Sequence, residues 1–397
     1  MDCSLLKIDD SYLNLDLESG KLKVSDSQKF STHNNKVTEF MIGKAAINLT
    51  LDCNLRCPYC YASGGDAKYT LSKKQMTNFI NLLSELSGPS VRLIIGGGEP
   101  SLTGKLLLET VRYAKSALLD PEIVIITNGI MKEEILKELI EENVTFHVSF
   151  EGLPEINDME RPFPDGSGSS QQVLATLKKL LEWDPEKVIV RLNISALKIG
   201  REKEIAEFLS KLGVKRTELG WMMPRGRGKK YEGVIPYDVN TYFKFLKALK
   251  DKGVVRPLTR LNALKWPTCG VGFVRLNLTC DGFLALCDGF VSIGKNNWVT
   301  NIKKYVVGKV TDKGAELNQE KIKAFQRAVS RIPEKCAGCG IFPICNTCVL
   351  EMDMGEEGNS FPGNFCNFRK KVTVENLKTH WGIYFKDVKH IEICDRR

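Results

Sequence analysis

The chain has 397 residues, 43% of them hydrophobic and 26% charged, the balance of a folded protein of two or three domains at about 150 residues each. Wholesale disorder, collagen and a membrane bundle are excluded, and no apolar run approaches the roughly 18 residues of a spanning helix. Lys and Arg number 57 against 48 Asp and Glu, a net +9, but the charge is spread along the chain, so neither nucleic acid nor a membrane is expected as a partner. The start, Met1-Asp2-Cys3-Ser4, has no charged n-region or apolar h-region, so no secretory signal is read and a cytoplasmic location is expected.

In chain order, Tyr12–Leu17 interleaves apolar residues with Asn14 and Asp16, and Leu22 and Val24 follow the Ser19-Gly20 turn. This predicts a β-hairpin inside a small unit of residues 1–40. Residues 25–38 are polar and read as a loop. From 45 to about 222, strand patterns at Ala45–Leu51, Val91–Ile95, Ile123–Thr127, Val144–Phe150, Val188–Ile194 and Thr217–Met222 alternate with helical ones. The helical segments are Ser72–Leu86, Lys105–Ala117, Lys132–Glu142, Gln171–Glu182 and Lys203–Leu212. Such alternation predicts an α/β fold, a parallel sheet with helices outside. Six strands are too few to close an eight-stranded barrel, so residues 41–235 are expected to form an open, partial (β/α)6 barrel with its active site at the carboxyl ends of the strands. The basic stretch Arg225-Gly-Arg-Gly-Lys-Lys230 reads as a solvated linker. A connecting segment of 236–265, with a helix over 238–252, leads to a cysteine-rich domain at 266–372 and a tail at 373–397.

Thirteen cysteines stand at positions 3, 53, 57, 60, 269, 280, 287, 336, 339, 345, 348, 366 and 394. An odd, clustered set points to metal rather than a disulfide scaffold. None of the four His falls inside a cluster, and sulfur without imidazole favours iron–sulfur centres over mixed-ligand zinc. Cys53-Asn-Leu-Arg-Cys57-Pro-Tyr-Cys60 is CxxxCxxC directly after the first barrel strand. Three thiolates can hold three irons of a cubane and leave the fourth iron open to a cofactor or substrate. A structural zinc knuckle is the alternative, although no fourth Cys or His stands nearby. Gly96-Gly97-Gly98-Glu99-Pro100 ends the second strand. Glycines there admit close backbone approach, and an acidic group or exposed carbonyls can receive an amino group.

CxxxCxxC after strand one with Gly-Gly-Glu-Pro after strand two resembles the radical S-adenosylmethionine (radical SAM) superfamily over about residues 41–235. The resemblance implies that Cys53, Cys57 and Cys60 ligate a [4Fe-4S] cluster whose open iron chelates S-adenosylmethionine. It implies that Tyr59 packs on adenine and that Gly97, Gly98 and Glu99 form the amino-group site. Asn128, in Thr127-Asn128-Gly129, ends strand three as in the family. Ser149 and Arg161 match residues that contact the cofactor carboxylate, and a guanidinium fork suits a carboxylate. Ser195, at the end of strand five, is a candidate for the ribose or for a helix cap.

Downstream, Cys269 is followed by Gly282 and Cys287, then Cys336-Ala-Gly-Cys339, Cys345-Asn-Thr-Cys348 and Cys366. This resembles the SPASM domain of peptide-modifying radical SAM enzymes, with one spacing (345 to 348) a residue short. The resemblance implies two auxiliary [4Fe-4S] clusters, one on Cys269, Cys287 and Cys348, the other on Cys336, Cys339, Cys345 and Cys366, making three clusters in all. Two zinc sites are the alternative. Cys280, in the turn Thr279-Cys-Asp-Gly282, is read as a further ligand of the first auxiliary cluster, as a free thiol serving catalysis, or as incidental, in that order. Asp288 follows Cys287 as in anaerobic sulfatase-maturating enzymes, where an Asp can take the substrate proton; a turn-stabilising Asp is the alternative.

The function implied is oxidative modification of a peptide or protein side chain through a 5′-deoxyadenosyl radical, as in maturases of ribosomal peptides or sulfatase maturases. The expected partners are a peptide or protein substrate, a ferredoxin or flavodoxin donor, and a separate peptide-recognition protein, since residues 1–40 are too short for a full recognition domain. The alternatives are a SPASM enzyme acting on a tetrapyrrole or other small molecule, and a non-enzymatic zinc or electron-transfer protein.

Overall fold

The computed structural model describes residues 40–236, 238–255, 274–295, 302–328, 366–367 and 369–372 in full, and residues 2–8, 11–16, 22–25, 329 and 391–393 by backbone alone. The strands β1 (Asp2–Ile8), β2 (Ser11–Asp16) and β3 (Leu22–Ser25) form an antiparallel sheet. The expected hairpin is β2–β3. A tail strand, β14 (Ile391–Ile393), pairs with β1 through Leu6 opposite Ile393, giving the order β14-β1-β2-β3.

The barrel strands are β4 (Ile42–Thr50), β5 (Ser87–Gly97), β6 (Pro121–Thr127), β7 (Thr145–Ser149), β8 (Val188–Ile194) and β9 (Thr217–Trp221), all parallel and paired in chain order. The intervening helices lie where the periodicity places them. They are α1 (Lys73–Leu86), α2 (Lys105–Ala117), α3 (Glu133–Glu141), α5 (Ser170–Trp183) and α6 (Glu202–Lys211). Ser72 and Gln75 close a reciprocal capping box at the start of α1. The helix α4 (Pro154–Glu160) is additional, two turns entered through a proline at its first turn, too short to show a period. Helix α7 (Val239–Asp251) is the expected connecting helix, capped by Asp238.

The sheet does not stop at β4. Its free edge takes β10 (Arg275–Leu278) in parallel, Leu276 opposite Ala45, and then β11 (Phe283–Ala285), β12 (Val306–Thr311) and β13 (Gly314–Leu317) antiparallel. The result is one ten-stranded sheet, β13-β12-β11-β10-β4-β5-β6-β7-β8-β9. Inside the β4–β10 seam, buried Asn48 donates to the Asn277 side-chain oxygen (2.8 Å), and Asn277 donates to the Phe290 carbonyl (2.7 Å). Helix α1 also grips β12, Gln75 donating to the Val310 carbonyl and Asn78 to that of Thr311. Helix α8 (Gln319–Val329) follows β13.

Strand alternation sorts side chains between two faces. Ala45, Ile47, Leu93, Ile95, Ile125, Phe146, Val148, Val190 and Leu192 are buried against the helices, together with Phe79, Leu83, Val111 and Leu177. Each such buried Val, Leu, Ile or Phe side chain is worth about 1.5–3 kcal/mol. Lys44, Asn48, Arg92, Glu122, His147, Ser149, Arg191, Asn193 and Glu218 occupy the alternate positions and face the barrel interior. Among the described residues no helix is long and apolar enough to cross a membrane.

Candidate active site

Strand β4 delivers the chain to Cys53 at the carboxyl end of the sheet, and the loop that follows is built of turns, Cys60 N–H to the Cys57 carbonyl and Ser63 N–H to that of Cys60. Cys53 and Cys60 flank Gly64. A β-carbon on that glycine would lie 3.4 Å from Cβ of Cys53, 3.8 Å from Sγ of Cys60 and 3.4 Å from Cα of Gly98. Leu55 N–H donates to the Cys53 sulfur and Gly64 N–H to that of Cys60, both at 3.4 Å. Burial pushes the Cys53 thiol up to about 12 and raises Cys57, and each feels the neighbouring thiols. Sulfurs so placed keep their protons unless a cation offsets their charge. Among the described residues no three His, Cys, Asp or Glu side chains close on one metal ion, whereas a cubane takes each thiolate at a different iron.

Two arginines hold the loop backbone. Arg56 donates to the carbonyls of Cys53, Leu55 and Gly65 at 2.8–3.0 Å. Arg227 donates to the carbonyls of Cys57 (2.9 Å) and Gly64 (3.1 Å) and to Asp66 (2.7 Å), and its own N–H donates to the Cys60 carbonyl. The stretch 225–230 is therefore not a solvated linker. A β-carbon at Gly226 would meet the Cys60 and Tyr61 carbonyls at 2.5 and 2.4 Å, so this segment is pressed onto the cysteine loop.

The Gly-Gly-Glu segment is set equally close. A β-carbon at Gly97 would lie 2.2 Å from the Thr50 carbonyl oxygen and one at Gly98 2.3 Å from that of Asp52. Buried Glu99 accepts from Asn128 N–H (2.7 Å), Thr127 Oγ1 (2.8 Å) and Ser101 N–H (3.1 Å). Burial raises its pKa, and those donors pull the other way. Its carboxylate thus ties the end of β5 to that of β6. Asn128 donates to Asn54 (2.7 Å) within the cysteine loop.

Behind Cys57, Tyr59, Arg161 and Ser195 are joined by three charged residues that the sequence did not reveal, Glu151, Glu160 and Lys198. Tyr59 donates to Glu151 and accepts from Arg161 Nη1 (2.5 Å). Lys198, fully buried, contacts Glu151 (3.1 Å), pairs with Glu160 and donates to Ser195 (3.0 Å). Asn193 N–H (3.2 Å) reaches Glu151, and Tyr231 (3.2 Å) reaches Glu160. Two carboxylates face two cations, so the buried set is neutral. Burial works against charge throughout; Lys198 and Arg161 nonetheless hold Glu151 low, while burial and the Glu151 charge lift Glu160. The phenol of Tyr59 and the hydroxyl of Ser195 are committed to this network. Arg161 keeps its Nε buried with no hydrogen-bond partner. That orphan donor, beside three thiols of which Cys53 and Cys60 carry amide donors on their sulfurs, fits a cubane with a carboxylate-bearing cofactor.

The remaining expected residues are dispersed. Ser149 ends β7 on the inner face, half-buried. Asp288 accepts from Arg275 Nη1 at 2.7 Å on both oxygens and from Lys44 (2.8 Å). Burial opposes its ionisation, but those two cations outweigh it and hold the carboxyl below its usual range. Cys280 is buried with Leu51 and Val291, and burial raises its thiol to about 12. The β10–β11 register puts Cys280 at the turn and Cys287 at the open end, so the structure does not bring these two thiols together. Cys366 is exposed. Cys269, Cys336, Cys339, Cys345 and Cys348 lie outside the described residues.

Residues 47–184 match the family model for the radical SAM superfamily. The GTP 3′,8-cyclase of Clostridium perfringens is 25% identical over 61% of this chain and 79% of its own length. Among solved structures, anSMEcpe, an anaerobic sulfatase maturase, with bound AdoMet and Kp18Cys peptide has a TM-score of 0.66 at 16% identity, covering 87% of this chain and 99% of that one. SuiB of Streptococcus suis, bound to its precursor peptide SuiA, has a TM-score of 0.57 at 13% identity, covering 78% and 72%. At these identities the structural likeness speaks for the fold, a partial barrel with an extended sheet. With the cysteine loop, the Gly-Gly-Glu close approach and the family match falling on the same strands, residues 47–184 are a radical SAM domain.

Proposed function

We propose that this chain is a radical SAM enzyme that oxidises a side chain of a peptide or protein. The carrying observation is the seam between β10 and β4: it sets a hairpin bearing Cys280 and Cys287 against the very strand that leads into Cys53. A Cys287 centre anchored beside the first cysteine loop would suit a reaction that must discharge an electron. Cys53, Cys57 and Cys60 would hold a [4Fe-4S] cluster, which with S-adenosylmethionine would supply hydrogen-atom abstraction through a 5′-deoxyadenosyl radical. The chain's own residues place and seclude that chemistry. Gly97 and Gly98 admit the backbone, Arg161 offers its free Nε to a carboxylate, Glu99 fixes the strand ends, and Arg56 and Arg227 hold the loop. Auxiliary clusters are assigned to Cys269, Cys287 and Cys348, and to Cys336, Cys339, Cys345 and Cys366, within a SPASM domain. Peptides bound in anSMEcpe and SuiB support the peptide reading. A ferredoxin or flavodoxin donor, a separate peptide-recognition protein and a cytoplasmic site of action belong to the same proposal.

A second reading, a small-molecule substrate such as a nucleotide or tetrapyrrole, is favoured by the GTP 3′,8-cyclase relative. The test is anaerobic incubation of iron-reconstituted protein with S-adenosylmethionine, dithionite and short peptides encoded beside the gene, read by mass spectrometry. The expected product is lighter by two hydrogens, with 5′-deoxyadenosine and about twelve irons per chain. Replacing Cys53, Cys57 and Cys60 together by Ala should remove about four irons and all 5′-deoxyadenosine. Zinc in place of iron would sink the enzymatic reading. Intact peptides beside a converted small molecule would select the second one.

A further inference from the structure

We propose that His147 is the proton acceptor of the oxidation, positioned by Glu218; the role rests on the side-chain oxidation put forward above. His147 stands on β7 between Phe146 and Val148, both buried in the helix-facing core, so its ring is directed inward. It lies one inner position deeper than Ser149, beneath the carboxyl ends of the strands where the cysteine loop sits. Across the interior, His147 Nδ1 is 3.5 Å from Glu218 Oε2, and Arg191 Nε is 3.4 Å from the same oxygen. The His147 side chain is 12% exposed, and its Nε2 is buried with no hydrogen-bond partner. A ring that turns its Nδ1–H to a carboxylate carries its lone pair on Nε2. A buried polar atom without a partner is costly, so this nitrogen marks a place for a donor that the chain itself does not supply. A carboxylate-oriented imidazole with an open nitrogen is the arrangement of a general base. Asp288 is less suited, because Arg275 and Lys44 occupy its oxygens.

The substrate class follows: a side chain with an S–H, O–H or N–H on the carbon that is oxidised. Loss of a hydrogen atom from that carbon to the 5′-deoxyadenosyl radical leaves one unpaired electron on it. The X–H bond then breaks, its proton passing to Nε2 and its electron pair staying on X. Of the three electrons left on C and X, one leaves to an iron–sulfur cluster and two form the C=X π bond. The imidazolium charge is met by Glu218.

Two measurements on the cluster-loaded protein test this. The chain has four histidines, His33, His147, His380 and His390, so selective nitrogen-15 labelling gives few signals. Without any substrate, the His147 signal, identified by its loss in His147→Gln, is expected to show the proton on Nδ1 and Nε2 bare, a preference weakened in Glu218→Ala. A proton on Nε2 would overturn the proposal. In turnover, product formed per 5′-deoxyadenosine should fall by about 100-fold in His147→Gln. A wild-type ratio in that variant would also overturn it. If the wild type converts no peptide of the panel, the peptide reading fails, and the substrate-free tautomer still decides the place of His147.

Discussion

Lys198 is fully buried from bulk solvent, and Glu151 and Glu160 offset its charge. Removing one member of a buried set leaves its partners exposed to their own desolvation, typically 3–5 kcal/mol. Lys198→Met should therefore destabilise the protein by about 3–5 kcal/mol in urea unfolding, and its Tyr59–Arg161 side should loosen, seen as weaker binding of S-adenosylmethionine. Glu218 gives a prediction of opposite visibility. The His147 contact outweighs burial and, with Arg191, holds its carboxyl down to about 2, below its ordinary 4.5. A depressed carboxyl stabilises the folded state above its unfolded pKa, and that share is lost as pH falls through the folded value. The gap in melting temperature between wild type and Glu218→Gln should thus be widest above pH 4.5 and close toward pH 2. The sequence offered Tyr59, Arg161 and Ser195 of this network but not Glu151, Glu160 and Lys198, which join them: Lys198 follows a strand end in a stretch without motif, and burial, not residue type, makes it unusual. His147 was legible only through the two-residue period of β7.

Periodicity did carry the elements. Lys105–Ala117 is a helix over the very residues its pattern spans, and the six barrel strands lie within a few residues of theirs. What local pattern could not carry was pairing between distant segments: β10 on β4, and the tail strand on β1, each a contact whose energy exists only after folding. The segment 225–230 misled for a kindred reason. A run of Gly and basic residues looks solvated unless one sees what it lies against. Arg227 forms a planar fork over two carbonyls and a carboxylate, which an ammonium cannot copy. Arg227→Lys should therefore loosen the cysteine loop, lowering iron retained at Cys53, Cys57 and Cys60 after gel filtration. Gly98→Ala should act on the same loop by collision with the Asp52 carbonyl, costing about 1–3 kcal/mol if the backbone shifts to accept it. Calorimetry would read that loss directly.

At the scale of the whole molecule, two sheets organise the chain. In the smaller one, β14 covers an edge of β1. Deleting residues 391–397 should raise amide hydrogen exchange in Asp2–Ile8 while leaving β4–β9 protected, since among the described residues no strand of the larger sheet pairs with either segment. The larger sheet has the wider consequence. Because β10 and β4 share one hydrogen-bonded ladder, with Asn48 and Asn277 locked inside it, the hairpin and the radical SAM barrel have no hinge between them. A centre held at Cys287, as proposed above, would be kept at a span from the Cys53 loop that is ruled by strand spacing, like marks on a stiff scale. Charge passing between them would meet an unvarying gap, insensitive to solvent viscosity, where a swinging domain would impose a gate.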